Sequence, residues 1–240
     1  MFLSYLPGHF FSSLPIFDVL LPAVGPDLPA ATTPSLTGFD RMAWCYDALA
    51  ALVFGPALRN TQRAALAGLP ASAPQVLILG GGTGWVLTEV LRRRPAAAVL
   101  YLEASPRMLA RARARLVPGQ LAQVEFRHGT QAALAPGETF DAILTFFVLD
   151  CIATPALPDA LDRLHAALRP DGRWLLADFR PARRGWRRWL LAAMFGFFRI
   201  TTQLRAHELP DFAAALTARG LRAETKGQFY GGATEAVVFQ

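Results

Sequence analysis

Hydrophobic and polar positions along the chain alternate between two periods. Val76-Leu77-Ile78-Leu79 is a short, uninterrupted apolar run between Pro74 and Gly80, the pattern of a strand buried on both faces. Val99-Leu100-Tyr101-Leu102 repeats it, and further strands are predicted over 124–127, 140–146 and 173–179. Between the runs the period becomes helical. Val86, Leu87, Val90 and Leu91 share one face of a helix that Pro95 stops. Ser105-Pro106 supplies a cap and a first-turn proline for a helix over 107–117, and a third helix from about 158 to 168 ends at Pro170-Asp171-Gly172. Strands alternating with helices of this length predict an α/β fold, a parallel sheet with helices on both faces. The tail changes rhythm: 207–219 is helical, while 221–228 and 234–239 are strand-like. The link Tyr230-Gly231-Gly232-Ala233 is short enough for a hairpin, so the last strand is predicted to run antiparallel to its neighbour.

Upstream, residues 39–69 read as helical, with Trp44, Leu49, Leu52 and Val53 at helical spacings and Asp40 as a cap. Gly55-Pro56 breaks this stretch before a second short helix through Leu58 and Leu66. Residues 1–37 are proline-interrupted and aperiodic, an irregular N-terminal extension; 38–240 reads as a single domain. The greasy start lacks a basic leader region and does not read as a secretory signal. No uncharged apolar run approaches the roughly 20 residues that span a bilayer. A cytoplasmic protein is the expectation.

Composition narrows this picture in three ways. With 53 % hydrophobic and 18 % charged residues, the 240-residue chain is a core-forming globular protein and not a disordered polyelectrolyte. The net charge of +6 is almost wholly arginine, since Lys226 is the only lysine; no nucleic-acid-binding motif accompanies it, and no nucleic-acid partner is predicted. Cys45, Cys151 and four scattered histidines offer neither a disulfide framework nor metal-ligand spacing.

The chemistry is concentrated in one turn. Gly80-Gly81-Gly82-Thr83-Gly84 follows the first predicted sheet strand and opens a helix, the place where bare backbone and free N–H groups receive a ligand. Glu103, ending the second strand, is placed to accept from ribose hydroxyls. A dinucleotide site wants glycine where Trp85 stands, which disfavours an NAD-dependent oxidoreductase, and a P-loop needs a lysine that this half of the chain lacks. The pattern suits a cofactor with ribose and adenine but no pyrophosphate.

Val-Leu-Ile-Leu-Gly-Gly-Gly-Thr-Gly (76–84), Tyr-Leu-Glu-Ala-Ser (101–105), Phe-Asp-Ala-Ile-Leu-Thr-Phe-Phe (140–147) and Leu-Arg-Pro-Asp-Gly-Arg-Trp-Leu-Leu-Ala-Asp-Phe (168–179) resemble the successive motifs of class I S-adenosylmethionine-dependent methyltransferases. Phe-Asp-Arg-Met-Ala-x-x-Tyr-Asp (39–47) is similar to the start of the small-molecule branch that includes ubiquinone/menaquinone methyltransferases. The resemblance implies a Rossmann-like fold with a mostly parallel seven-stranded sheet and an antiparallel last strand. It implies S-adenosyl-L-methionine as cofactor. Gly80, Gly81, Gly82, Thr83 and Gly84 would line its methionine part, and Glu103 would hold the ribose. Ala104 and Met108 would flank the adenine, with Gly129-Thr130 near its amino group, and Thr145 and Phe146 would pass beside the methionine moiety. Ile78 and Thr130 stand where the family usually has acidic residues.

Methyl transfer from a sulfonium is an in-line displacement, so the main task is to hold acceptor and methyl carbon together; a base is needed only where the nucleophile must lose a proton. Asp150, on the rim after the fourth strand, is the candidate base, and Tyr46 the candidate cover over the cofactor. The basic, aromatic segment 186–199 falls within an insertion at about 180–206. It reads as a lid for a hydrophobic small-molecule acceptor, as a helix lying on a membrane surface, or as an ordinary amphipathic helix. The expected protein is an S-adenosylmethionine-dependent methyltransferase, monomeric or homodimeric. The alternative is a non-catalytic, membrane-associated binding protein that kept the fold.

Overall fold

Continuous apolar runs can be buried on both faces only in the middle layer of a three-layer structure, and the chain builds that layer from seven strands. The computed structural model describes residues 55–181 and 210–240. The extension 1–37, the cap before Gly55 with Tyr46, and segment 186–199 with most of the 180–206 insertion lie outside the described residues. The elements are α1 (Ala57–Ala65), β1 (Gln75–Leu79), α2 (Trp85–Arg93), β2 (Ala98–Glu103), α3 (Pro106–Ala114), α4 (Pro118–Leu121), β3 (Val124–His128), β4 (Phe140–Phe146), α5 (Leu157–Ala166), β5 (Leu168–Phe179), α6 (Phe212–Thr217), β6 (Ala223–Phe229) and β7 (Thr234–Phe239).

The strand order is β3-β2-β1-β4-β5-β7-β6. The first five strands are mutually parallel, and β7 runs antiparallel to both β5 and β6. Side-chain alternation sorts the core. Val76 and Ile78 of β1 face a cluster with Val86, Leu87 and Val90 of α2, whereas Leu77 and Leu79 face one with Leu161 and Leu164 of α5 and Phe212 of α6. Each helix therefore needs only one apolar stripe, which the helical periodicity supplied.

Several boundaries differ from the sequence expectation. The helix predicted to reach 117 stops at Ala114, and Pro118 opens α4 instead. The third helix ends at Ala166. Strand β5 starts at Leu168, opposite Phe140, and then crosses an irregularity before Arg173 pairs with Ala142. Pro170-Asp171-Gly172 is thus a tight excursion within the strand rather than the link before it. A Cβ on Gly172 would stand 2.9 Å from the Arg169 carbonyl oxygen. Asp141 ties together the opposite end of the sheet, accepting from the Gln75 N–H (2.8 Å) and from Arg169 (2.6 Å).

From β1 the chain first builds outward through β2 and β3, then returns to lay β4 on the other side of β1. The helices that follow β1 and β4 leave in opposite senses at this switch, which opens a crevice beyond the carboxyl ends of the two strands.

Candidate active site

Beyond β1 the backbone turns through Gly80–Gly84, and two demands shape it. Where the chain passes close to its neighbours, no side chain fits: a Cβ on Gly81 would stand 2.5 Å from Cε2 of Tyr101, and one on Gly84 2.6 Å from Cα of Ala112 on α3. Gly82 is different. Its φ of +63° is the left-handed region that favours glycine, and among the described residues a Cβ there would have nothing within 4 Å. The bare Cα of Gly82 therefore borders open space, a cradle beside the turn.

Glu103 ends β2 next to this cradle, buried at 6 % exposure. One carboxylate oxygen accepts the N–H of Gly82 and the other that of Ser105, both at 2.9 Å. Burial pushes the Glu103 carboxyl above its ordinary value, and the N–H groups of Ser105, Gly82 and Ala104 work against that rise. A carboxylate has about four lone-pair sites, so beside these N–H groups it keeps room for a further donor, which suits a sugar hydroxyl. Tyr101, a core residue of the same strand, donates its hydroxyl to the Gly82 carbonyl at 2.8 Å. The turn is fixed from β2 on both its N–H and its C=O.

A cleft of about 140 Å³ runs along the turn, lined by Gly80, Gly81, Gly82 and Thr83, by Phe146 and Phe147, and by Leu58, Arg59 and Gln62 of α1. That is a fraction of the roughly 300–1,000 Å³ of a drug-sized ligand site. Trp85 and Arg115 also border it; the guanidiniums of Arg59 and Arg63 lie 5.7 and 5.4 Å from the Trp85 ring centroid. Arg115 binds the Thr83 carbonyl. Sequence reasoning missed Arg59 and Arg115, because only the fold brings α1 and the end of α3 to the glycine turn. Phe147 has φ +52°, a strained value for a bulky side chain, held by its N–H on the Ala177 carbonyl (2.8 Å) and its ring against Phe179.

The remaining expected residues divide. Ala104 follows Glu103, and its carbonyl oxygen meets His128 Nε2 at 2.9 Å. Met108 is buried on the first turn of α3, where its N–H is capped by Ser105. The Gly129 N–H donates to the Glu103 carbonyl at 2.9 Å, bringing the 129–130 turn alongside, while the Thr130 hydroxyl caps the short turn after it. Thr145 is fully buried, and its hydroxyl accepts the indole N–H of Trp174 at 2.8 Å, so its side chain lies in the core on the face opposite Phe146. Ile78 is likewise packed in the core.

Asp150 lies in the turn Leu149–Cys151 after β4, and the Cys151 thiol approaches its carboxylate at 3.5 Å. The fold adds a residue the sequence reading did not single out. Asp178, near the end of the adjacent strand β5, is 1 % exposed; one oxygen accepts the Phe179 N–H at 2.8 Å and the other has no partner among the described residues. Burial, then the negative charge of Asp150, pushes Asp178 well above the ordinary carboxylate value, with the N–H groups of Phe179 and Leu149 opposing. Asp150 is raised by burial too, and Cys151 is raised first by burial and then by the Asp150 charge. Among the described residues no cluster of His, Cys, Asp and Glu has metal-binding geometry, and no helix is long and apolar enough to cross a membrane.

Residues 76–172 match the family described as methyltransferase domain. The demethylmenaquinone methyltransferase of Thermus thermophilus is 33 % identical over 149 residues, covering 61 % of this chain and 66 % of the relative. The ubiquinone/menaquinone biosynthesis C-methyltransferase UbiE of Paracoccus denitrificans is 30 % identical over 144 residues, covering 59 % of this chain and 57 % of the relative. The matches thus span less than two thirds of either relative's own length. Among solved structures, the 1,6-didemethyltoxoflavin-N1-methyltransferase of Burkholderia thailandensis, with its substrate and S-adenosylhomocysteine bound, superimposes with a TM-score of 0.59 at 20 % identity, over 89 % of this chain and 91 % of that one. At that identity it speaks to the fold.

Proposed function

We propose, for a chain that belongs to the class I S-adenosylmethionine-dependent methyltransferases, that the crevice binds S-adenosylmethionine and that the protein passes its methyl group to a small, hydrophobic acceptor by in-line displacement. The observation that carries the reading is the pairing of Gly82 with Glu103: an open cradle of bare backbone whose N–H is locked to a buried carboxylate with a lone pair to spare. That donor set fits a nucleoside thioether, with Glu103 on a ribose hydroxyl and the methionine end in the cleft beside Phe146 and Phe147. Arg59 and Arg115 lie where a carboxylate at that end would meet positive charge. Bound there, the cofactor supplies an electrophilic methyl on a sulfonium.

The chain's own residues position the reactants, since a displacement of this kind gains most from near-attack geometry. The aromatic wall of Phe146 and Phe147 favours an apolar acceptor, in keeping with the quinone precursor named for the Thermus relative. Isothermal titration of the folded protein with S-adenosylmethionine and S-adenosylhomocysteine tests the cofactor assignment; heat with both is expected, and silence with both would refute it. Incubation with S-adenosylmethionine and a naphthoquinol, followed by mass spectrometry for one added methyl, tests the acceptor class.

A further inference from the structure

A methyl donor of the proposed kind is a cation at sulfur, yet among the described residues the charged side chains lining the cleft are the guanidiniums of Arg59 and Arg115, and no carboxylate joins them. Where no anion is at hand, the electron-rich partners left for a cation are carbonyl oxygens and the faces of aromatic rings. Three rings border the cleft. That of Trp85 already has Arg59 at 5.7 Å and Arg63 at 5.4 Å from its centroid. Phe146 is 6 % exposed and packs in the core on the α2 face of the sheet. Phe147 is neither. It is half-buried, and among the described residues its ring meets that of Phe179, with centroids 5.1 Å apart in an edge-to-face contact at 60°. Whichever ring presents its edge, at least one face of Phe147 stays clear of Phe179.

The backbone shows that this ring is kept at a cost. Phe147 holds φ +52°, a left-handed value that a bulky residue adopts only under constraint. The constraint is visible on both sides: the Phe147 N–H donates to the Ala177 carbonyl at 2.8 Å, and the next residue, Val148, packs so tightly on Gly80 that a Cβ there would stand 2.3 Å away. Glycine would take the same backbone without strain. Full burial does not repay the difference, because the side chain remains half-exposed on the cleft wall. We propose that Phe147 selects the methyl donor: its ring face meets the sulfonium and holds the charged donor in preference to the neutral thioether that transfer leaves behind. The inference rests on the cofactor reading above. A cation within about 6 Å of a ring face is attracted by the ring quadrupole, and more strongly once desolvated. A neutral thioether lacks that charge and meets rings more often at their edges. The attraction fades as the S–CH₃ bond breaks and the charge leaves sulfur. It therefore serves capture of the donor and departure of the product, not the displacement itself.

The test compares two ligands that differ by one methyl and one charge. Dissociation constants for S-adenosylmethionine and S-adenosylhomocysteine are measured by titration calorimetry on wild-type protein and on three variants. Phe147→Leu keeps an apolar side chain and removes the ring face. It should weaken S-adenosylmethionine about 3- to 30-fold more than S-adenosylhomocysteine, the span of a cation–π attraction. Phe147→Tyr keeps the face and should stay within about twofold of wild type in that ratio. Phe147→Gly accepts the left-handed backbone without strain, so it carries the test should the leucine chain not fold, and it should show the same selective loss. A ring that only walls the cleft would weaken both ligands alike. Equal losses for the two ligands, no loss with either, or a tyrosine variant as unselective as leucine would each overturn the selecting role and leave the cofactor assignment standing. Wild-type protein that binds neither ligand would overturn the cofactor assignment and this inference with it.

Discussion

At Gly81 and Gly82 two neighbouring glycines are required for unrelated reasons, and substitution separates them. Alanine at 81 drives a methyl into the Tyr101 ring, which is fixed in the core and bonded to the Gly82 carbonyl. Such overpacking costs about 1–3 kcal/mol, so Gly81→Ala should lower the thermal midpoint clearly. Alanine at 82 meets no atom of the described residues; it pays about 1–2 kcal/mol for a left-handed φ and puts a methyl in the cradle. For equal stability loss, Gly82→Ala should weaken S-adenosylhomocysteine binding at least tenfold more than Gly81→Ala, by paired melting and titration. Glu103→Gln keeps the shape but swaps one acceptor oxygen for a donor that opposes the Gly82 or Ser105 N–H. Affinity should fall by an order of magnitude or more, roughly the 1.5–3 kcal/mol of charged hydrogen bonds. The glycine turn and Glu103 were legible in the sequence because each sits at the end of an apolar run. The sequence could not show which glycine borders open space, since that depends on where Tyr101 and Ala112 lie.

The elements follow a similar rule: those made by local pattern were legible, and those made by partners were not. Strand β4 appears with its predicted bounds, Phe140–Phe146. Strand β5 begins five residues before the predicted Arg173, because pairing of Leu168 with Phe140 overrides a Pro-Asp-Gly sequence that reads locally as a turn. Thr145 shows the same limit within a strand. The family resemblance implied a place beside the cofactor for it, and period-two alternation turns its side chain to the other face, where Trp174 donates to it. Thr145→Val should therefore leave a buried indole N–H without an acceptor, costing about 1–3 kcal/mol in denaturant unfolding, with S-adenosylhomocysteine affinity changed less than threefold.

For the molecule as a whole, acidity is distributed unevenly. Glu89 and Glu138 are lowered first by hydrogen bonds from Arg92 and Arg127, whereas Glu103, Asp150, Asp178 and Glu235 are raised by burial. The lowered pairs are only partly buried and are screened by solvent, so their stabilisation, lost as pH falls through their depressed values, is small. The raised group was illegible in the sequence because Asp150, Asp178 and Glu235 come from separate segments that only the strand order β4-β5-β7 sets side by side. A carboxyl raised in the folded state binds more protons folded than unfolded, so stability falls as pH climbs from the unfolded carboxylate value, about 3.9 for Asp, toward the raised one. Wild-type protein should accordingly lose stability between mildly acidic and neutral pH. Asp178→Asn removes the ionisation and should match wild type at the acidic end, then exceed it by about 1 kcal/mol or more at the neutral end. Urea unfolding at a series of pH values checks this; parallel curves for the two proteins would mean that Asp178 ionises alike in the folded and unfolded chains.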